Sequence, residues 1–113
     1  MKFYHEDLAK GRWHKLPLAE QLANIGSEVS RATRWKEKDN NLFWGAVERA
    51  MELFYLTIAD MRWRNRLKEL TRLREVFCDA VLGGEEYGST LHSLEKYFFY
   101  FAIYSQKIKN EQL

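Results

Sequence analysis

Apolar side chains recur along this chain at three- and four-residue intervals rather than in alternation, the spacing that lines one face of a helix. Four such stretches stand out. The first covers residues 17–38, with Leu18, Leu22, Ile25, Val29 and Ala32 on one stripe. Beside it Ala19, Ala23, Gly26 and Ser30 form a second stripe of small side chains, which predicts close approach by a neighbouring helix. The second stretch covers residues 41–60 and directs Phe43, Val47, Ala50, Met51, Phe54 and Ile58 inward. The third, residues 64–82, carries Leu67, Leu70, Leu73, Phe77, Ala80 and Val81. The fourth, from Ser89 or Thr90 to about residue 110, carries Leu91, Leu94, Phe98, Phe101 and Ile108.

The punctuation agrees with this division. Pro17 suits the first position of a helix, where its missing N–H costs nothing. Asp39, Asn40 and Asn41 make a turn and offer caps for the second helix. Met61, Arg62 and Trp63 form a brief corner, and Gly83-Gly84 ends the third helix before a loop of Glu85, Glu86, Tyr87 and Gly88. Near the start, residues 7–10 make one turn that Gly11 stops. Four helices joined by short connections predict an all-α fold: a single domain over residues 1–113, an antiparallel up-down-up-down four-helix bundle with a short N-terminal segment.

Three stretches carry a likeness to known proteins: His5-Glu6-Asp7-Leu8-Ala9-Lys10-Gly11-Arg12-Trp13, Leu18-Ala19-Glu20-Gln21-Leu22-Ala23-Asn24-Ile25-Gly26-Ser27-Glu28-Val29-Ser30-Arg31, and Leu67-Lys68-Glu69-Leu70-Thr71-Arg72-Leu73-Arg74-Glu75-Val76. Through these the chain resembles a family of small uncharacterised all-α proteins of bacteria and archaea. The resemblance implies a four-helix fold without an assigned activity, and brings no functional residues with it.

Composition narrows the function classes. A chain of 113 residues is long enough to bury a core without metal or disulfide support. The single cysteine, Cys78, has no partner to pair with, which points to a reducing, cytoplasmic setting. No apolar run approaches the ~20 residues that span a membrane, and the first fifteen residues hold no signal-peptide core. The total charge of +2 conceals an alternation: +3 over residues 1–38, −3 over 39–61, +3 over 62–82 and −1 over 83–113. Helices of opposite sign side by side suit a self-neutralising bundle better than a polyanion binder.

One segment departs from that balance. Residues 62–74 hold Arg62, Arg64, Arg66, Lys68, Arg72 and Arg74 against Glu69 alone, with Trp63 among them, and Arg12, Trp13 and His14 repeat the mixture. Guanidinium groups beside an indole are the chemistry of phosphate gripping and base stacking. Arg12, Trp13, Arg66 and Arg74 are therefore candidate anion-binding residues, and a nucleic-acid or anion-binding accessory protein is the alternative function. The competing reading is a solvated face crossed by ion pairs such as Glu69–Arg72 and Arg72–Glu75. The wheel sets Arg66 and Arg74 toward the apolar side of the third helix, so both are expected among the least exposed charges, answered by Glu20, Glu28 or Glu48.

The catalytic search returns nothing. No Glu-x-x-His pattern exists for a di-iron site, and His5, His14, His92 and Cys78 lack zinc-site spacing. Glu85 and Glu86 with His92 make at most a weak cation site, and Glu48/Glu52 and Glu75/Asp79 fall short of the acid motifs of helical nucleotide hydrolases. Gly83-Gly84 is not followed by the Lys-Ser/Thr of a phosphate loop. No metal, no cofactor and no catalytic residue is expected.

The fourth helix carries the clearest functional signal. Tyr97 to Tyr104 is eight consecutive residues without a charge, more than one core stripe absorbs. Phe98 and Phe101 point inward, while Phe99 and Ile103 share the opposite face with Lys96, Gln106 and Lys107, and Tyr100 lies beside them. An apolar patch rimmed by charge marks an interface. Phe99, Tyr100 and Ile103 are the candidate interface residues of a non-catalytic interaction module. Either a second copy of the chain covers them in a two-fold homodimer, or the N-terminal segment with Phe3, Tyr4, Leu8 and Trp13 does, or a foreign protein does.

Overall fold

The computed structural model describes residues 11–111. Among them the fold is all-helical and compact, with no strand. Four long helices follow one another: α1 (Leu18–Trp35), α2 (Asn40–Ile58), α3 (Leu67–Val81) and α4 (Leu91–Glu111). Two 3₁₀ segments join them, Trp13–Lys15 ahead of α1 and Met61–Arg66 ahead of α3. The expected turn over residues 7–10 lies outside the described residues.

Each boundary has a local cause. Pro17 is the residue before α1, not its first member, with an extended ψ of 157°. α1 ends at Trp35, short of Lys38, because Glu37 adopts a left-handed φ of 66° and the Lys38 and Asp39 N–H groups both bond back to the Trp35 carbonyl. The Asp39 carboxylate then accepts from the Leu42 N–H at 3.0 Å and starts α2. At the end of α3, Gly84 takes a φ of +77° and donates to the Asp79 carbonyl at 2.8 Å. A side chain on it would meet the Ser89 carbonyl oxygen. Thr90 caps α4 reciprocally: its hydroxyl accepts from the Ser93 N–H, and the Ser93 hydroxyl accepts from the Thr90 N–H, both at 3.0 Å.

α1 packs along both α2 and α4, while α3 touches α2 and α4 more lightly. The core rests on Ile25, Val29, Phe43, Ala50, Leu53, Phe54, Phe77 and Phe98, all buried. Phe54 of α2 joins the layers, its ring 5.7 Å from Phe77 of α3 and 6.3 Å from Phe98 of α4. Between α1 and α4 the approach is very close. A Cβ on Gly26 would stand 2.5 Å from the Phe98 Cβ, so the small stripe of α1 is where α4 lies.

The 3₁₀ segment Met61–Arg66 overturns part of the sequence reading. The third helix begins at Leu67, not Arg64, and Trp63 inside the segment has non-helical angles of −105° and 17°. That break shifts the helical phase. Leu67 is exposed, and Arg66, expected on the apolar stripe, sits outside α3 with its side chain 51% exposed. Only Leu70, Phe77 and Ala80 of α3 are fully buried.

A buried polar cluster occupies the corner that this segment makes with the N-terminal turn. Asp60 is 4% exposed and receives Arg62 at both carboxylate oxygens, the shortest contact 2.7 Å. Gln21 of α1 donates to Asp60 at 3.1 Å and to the Trp13 carbonyl at 2.9 Å, and accepts from the Trp63 indole at 2.8 Å. His14 Nδ1 lies 3.2 Å from Asp60, and Arg62 also reaches the Leu16 carbonyl at 2.7 Å. The Trp13 indole donates to Thr57, which donates onward to the Leu53 carbonyl. Among the described residues no buried side-chain polar atom lacks a partner. The Arg62 guanidinium holds the Asp60 carboxyl far below the usual carboxylate range.

Gly26→Ala gains about 1 kcal/mol of helix propensity. It loses about 3 kcal/mol to overpacking, the upper end of the usual range, because the clashing atoms belong to the root of Phe98 and cannot swing away. Urea denaturation should therefore show net destabilisation, and an unchanged or raised midpoint refutes the close contact. Asp60→Ala removes a buried carboxylate that accepts from Gln21 and from the solvent-facing Arg62, and should cost about 1–2 kcal/mol, since Arg62 is left in contact with water. Because the folded carboxyl is depressed, its contribution is complete above the unfolded value of ~3.9 and is lost as pH falls through that range and below. Wild type and Asp60→Asn should then differ most in stability at pH 6, the difference shrinking as pH falls below about 4 and still open at pH 2.

Candidate functional site

The rotational setting of α4 decides what it shows. With Leu91, Leu94 and Phe98 buried and Phe101 half-buried, the opposite side is turned to solvent. Phe99 is 61% exposed, Tyr100 70% and Ile103 50%. Tyr97 and Tyr104, on the flank that carries Phe101, are also exposed, so the second half of the helix is bare over more than one stripe. The Phe99 and Tyr100 rings stand 6.5 Å apart, and Tyr97 meets Phe101 edge-on at 5.3 Å. Along the outer face Phe99 and Ile103 stand one turn apart, flanked by Lys96 and Gln106. Beside Phe99 an open groove of about 410 Å³ runs between α1 and α4, floored by Ala23, Gly26, Ser27 and Ser30 and rimmed by Glu95.

Of the N-terminal residues expected to cover this face, Trp13 alone is among the described residues, and it lies elsewhere. Trp13 is fully buried and hydrogen-bonded to Thr57 of α2. Phe3, Tyr4 and Leu8 lie outside the described residues.

The candidate anion residues are not brought together. Trp13 has no exposed ring surface to stack on a base. Arg12 is exposed on the N-terminal turn, Arg66 pairs at 2.8 Å with Glu69, and Arg74 is half-buried at the middle of α3. Glu28 does not answer Arg66. Glu28, 4% exposed, is instead held by Arg31 and by Arg49 at 3.0 Å. Among the described residues the least exposed charges are Glu28, expected only as a partner for an arginine, and Asp60.

A second groove, about 430 Å³, lies at the end of α3 beside Arg74, Cys78 and Tyr87. Two of its acids, Glu75 and Asp79, hold the following loop. Asp79 accepts from the Glu86 and Tyr87 N–H groups at 3.1 and 3.0 Å, and the Tyr87 hydroxyl donates to Glu75 at 3.1 Å. Hydrogen bonding to that carboxylate pushes the Tyr87 hydroxyl up, and burial pushes the Cys78 thiol up. A thiol raised by burial and set 3.6 Å from the Met51 sulfur is a packing group rather than a nucleophile. Among the described residues no group of three or more His, Cys, Asp or Glu side chains is placed to hold a metal ion, and no helix is long and apolar enough to cross a membrane. Comparison with family models, curated proteins and solved structures finds no match to this chain.

Proposed function

We propose that this chain is a helical interaction module that self-associates as a two-fold homodimer through the outer face of α4. It works in a reducing, cytoplasmic setting and carries out no chemical step of its own. Its helices form an antiparallel up-down-up-down bundle that serves to hold α4 with one face inward and one face free.

The observation that carries this reading is the exposure of Phe99, Tyr100 and Ile103 on a helix already anchored through Phe98. Apolar surface of this kind is stabilised by removal from water at roughly 25 cal/mol per Å². Phe99 and Ile103, one turn apart with Tyr100 beside them, make a narrow apolar strip that suits a helix as the occupant, and a second copy of α4 supplies one. In a two-fold pair the same patch serves both partners, so one aromatic cluster suffices.

Light scattering on the purified chain at roughly 100 μM should give twice the 13.6 kDa chain mass. The double variant Phe99→Glu/Ile103→Glu should give the single-chain mass with an unchanged helical circular dichroism spectrum, since both side chains lie outside the core. A monomeric wild type ends the proposal.

A further inference from the structure

The exposed strip of α4 has a direction as well as a face. Its centre is apolar, with Phe99 and Ile103 one turn apart. Its two ends differ in charge. Glu95 and Lys96 lie toward the start of the helix, Gln106 and Lys107 toward its finish. Lys96, Gln106 and Lys107 are exposed, and Glu95, approached by His92 at 3.8 Å, keeps 33% of its side chain open. Charges of both signs at the edge give no uniform field to draw an anionic surface.

A two-fold axis lays one copy of this strip on another in one of two ways. With the helices parallel, each residue meets its own counterpart, so Lys96 faces the partner's Lys96 and Lys107 the partner's Lys107. Like charges set against each other across an interface are penalised. With the helices antiparallel about a centre level with Phe101, Phe99 faces the partner's Ile103 and Lys96 faces the partner's Gln106. Lys107 then comes level with the partner's Glu95. Apolar meets apolar, and cation meets amide or carboxylate.

The register is constrained as well as the direction. Sliding one antiparallel copy by a turn sets Ile103 against the partner's Glu95, or in the other sense Phe99 against the partner's Lys107. Either slip places a charge on the apolar centre, which costs desolvation with no partner gained. The strip is therefore complementary to itself in one arrangement, and that self-complementarity singles out a second copy as its occupant.

We infer, on the reading that α4 pairs with a second copy, that the two helices lie antiparallel and centred level with Phe101. Phe99 of each copy packs on the partner's Ile103, and the Lys107 end of each meets the Glu95 end of the other.

The test is disulfide trapping in a Cys78→Ala background, since Cys78 is the one native thiol. Lys96→Cys and Gln106→Cys, at exposed positions, are each oxidised in a glutathione buffer, alone and as an equimolar mixture, and run on a non-reducing gel. In the antiparallel register two Lys96→Cys positions stand about 15 Å apart along the axis, beyond the reach of a disulfide. Cross-linked dimer should form in the mixture and exceed that of either variant alone about tenfold or more. Preferential cross-linking of either variant with itself overturns the inference. So does no cross-link in any sample whose light-scattering mass is that of a dimer, an outcome that leaves self-association standing. A monomeric unsubstituted chain removes the underlying reading and the inference together. Without any cysteine change, Lys107→Glu should weaken self-association about fivefold at low salt, and Glu95→Lys/Lys107→Glu should recover it. A double variant weaker than the single one overturns the inference, and a circular dichroism melt confirms that each variant is folded.

Discussion

The contact between Gly26 of α1 and Phe98 of α4 fixes how α4 is turned, and with it what the molecule presents to its surroundings. A helix has one rotational freedom about its axis once its position is set, and a Phe root pressed on a glycine removes it. With Phe98 locked inward, Phe99, Tyr100 and Ile103 must point out, because one residue's step turns the side chain through more than a quarter of a turn. A rotation that buried Phe99 would lift Phe98 from its place beside Phe54 and open the aromatic core. Exposure of the α4 face is thus a consequence of core packing.

The Asp60 cluster does comparable work at another corner. Gln21 of α1, the Trp13 turn and the Met61–Arg66 segment would otherwise meet as loosely packed polar backbone. Joined through one carboxylate, they become a single satisfied network in which each side-chain group has a specified partner. Here, as at α4, the interior dictates how the exterior is arranged.

How much of this was legible in the sequence depends on the range of the interaction responsible. Helical periodicity placed all four long helices, and the small stripe of Ala23, Gly26 and Ser30 marked the side of α1 on which α4 lies. The outward pair Phe99 and Ile103 followed from arithmetic on an uncharged run. Arg66 went wrong for a definable reason. The helical wheel assumes unbroken phase, and the 3₁₀ segment around Trp63 breaks it, a break dictated by Asp60 capping and its partners from α1. Trp13 was misread likewise, because a tryptophan beside an arginine looks the same in sequence whether its ring is exposed or sunk against Thr57. Contacts forty residues apart leave no periodic trace.

The most direct test of the account is an isotope-filtered nuclear Overhauser experiment on an equimolar mixture of labelled and unlabelled chain. Pairing of α4 with a second copy predicts cross-peaks between the Phe99 ring of one molecule and the Ile103 methyl groups of the other. A filtered spectrum without Phe99 or Ile103 cross-peaks, from a sample in which the intramolecular Phe54–Phe98 contact is clearly resolved, would contradict it.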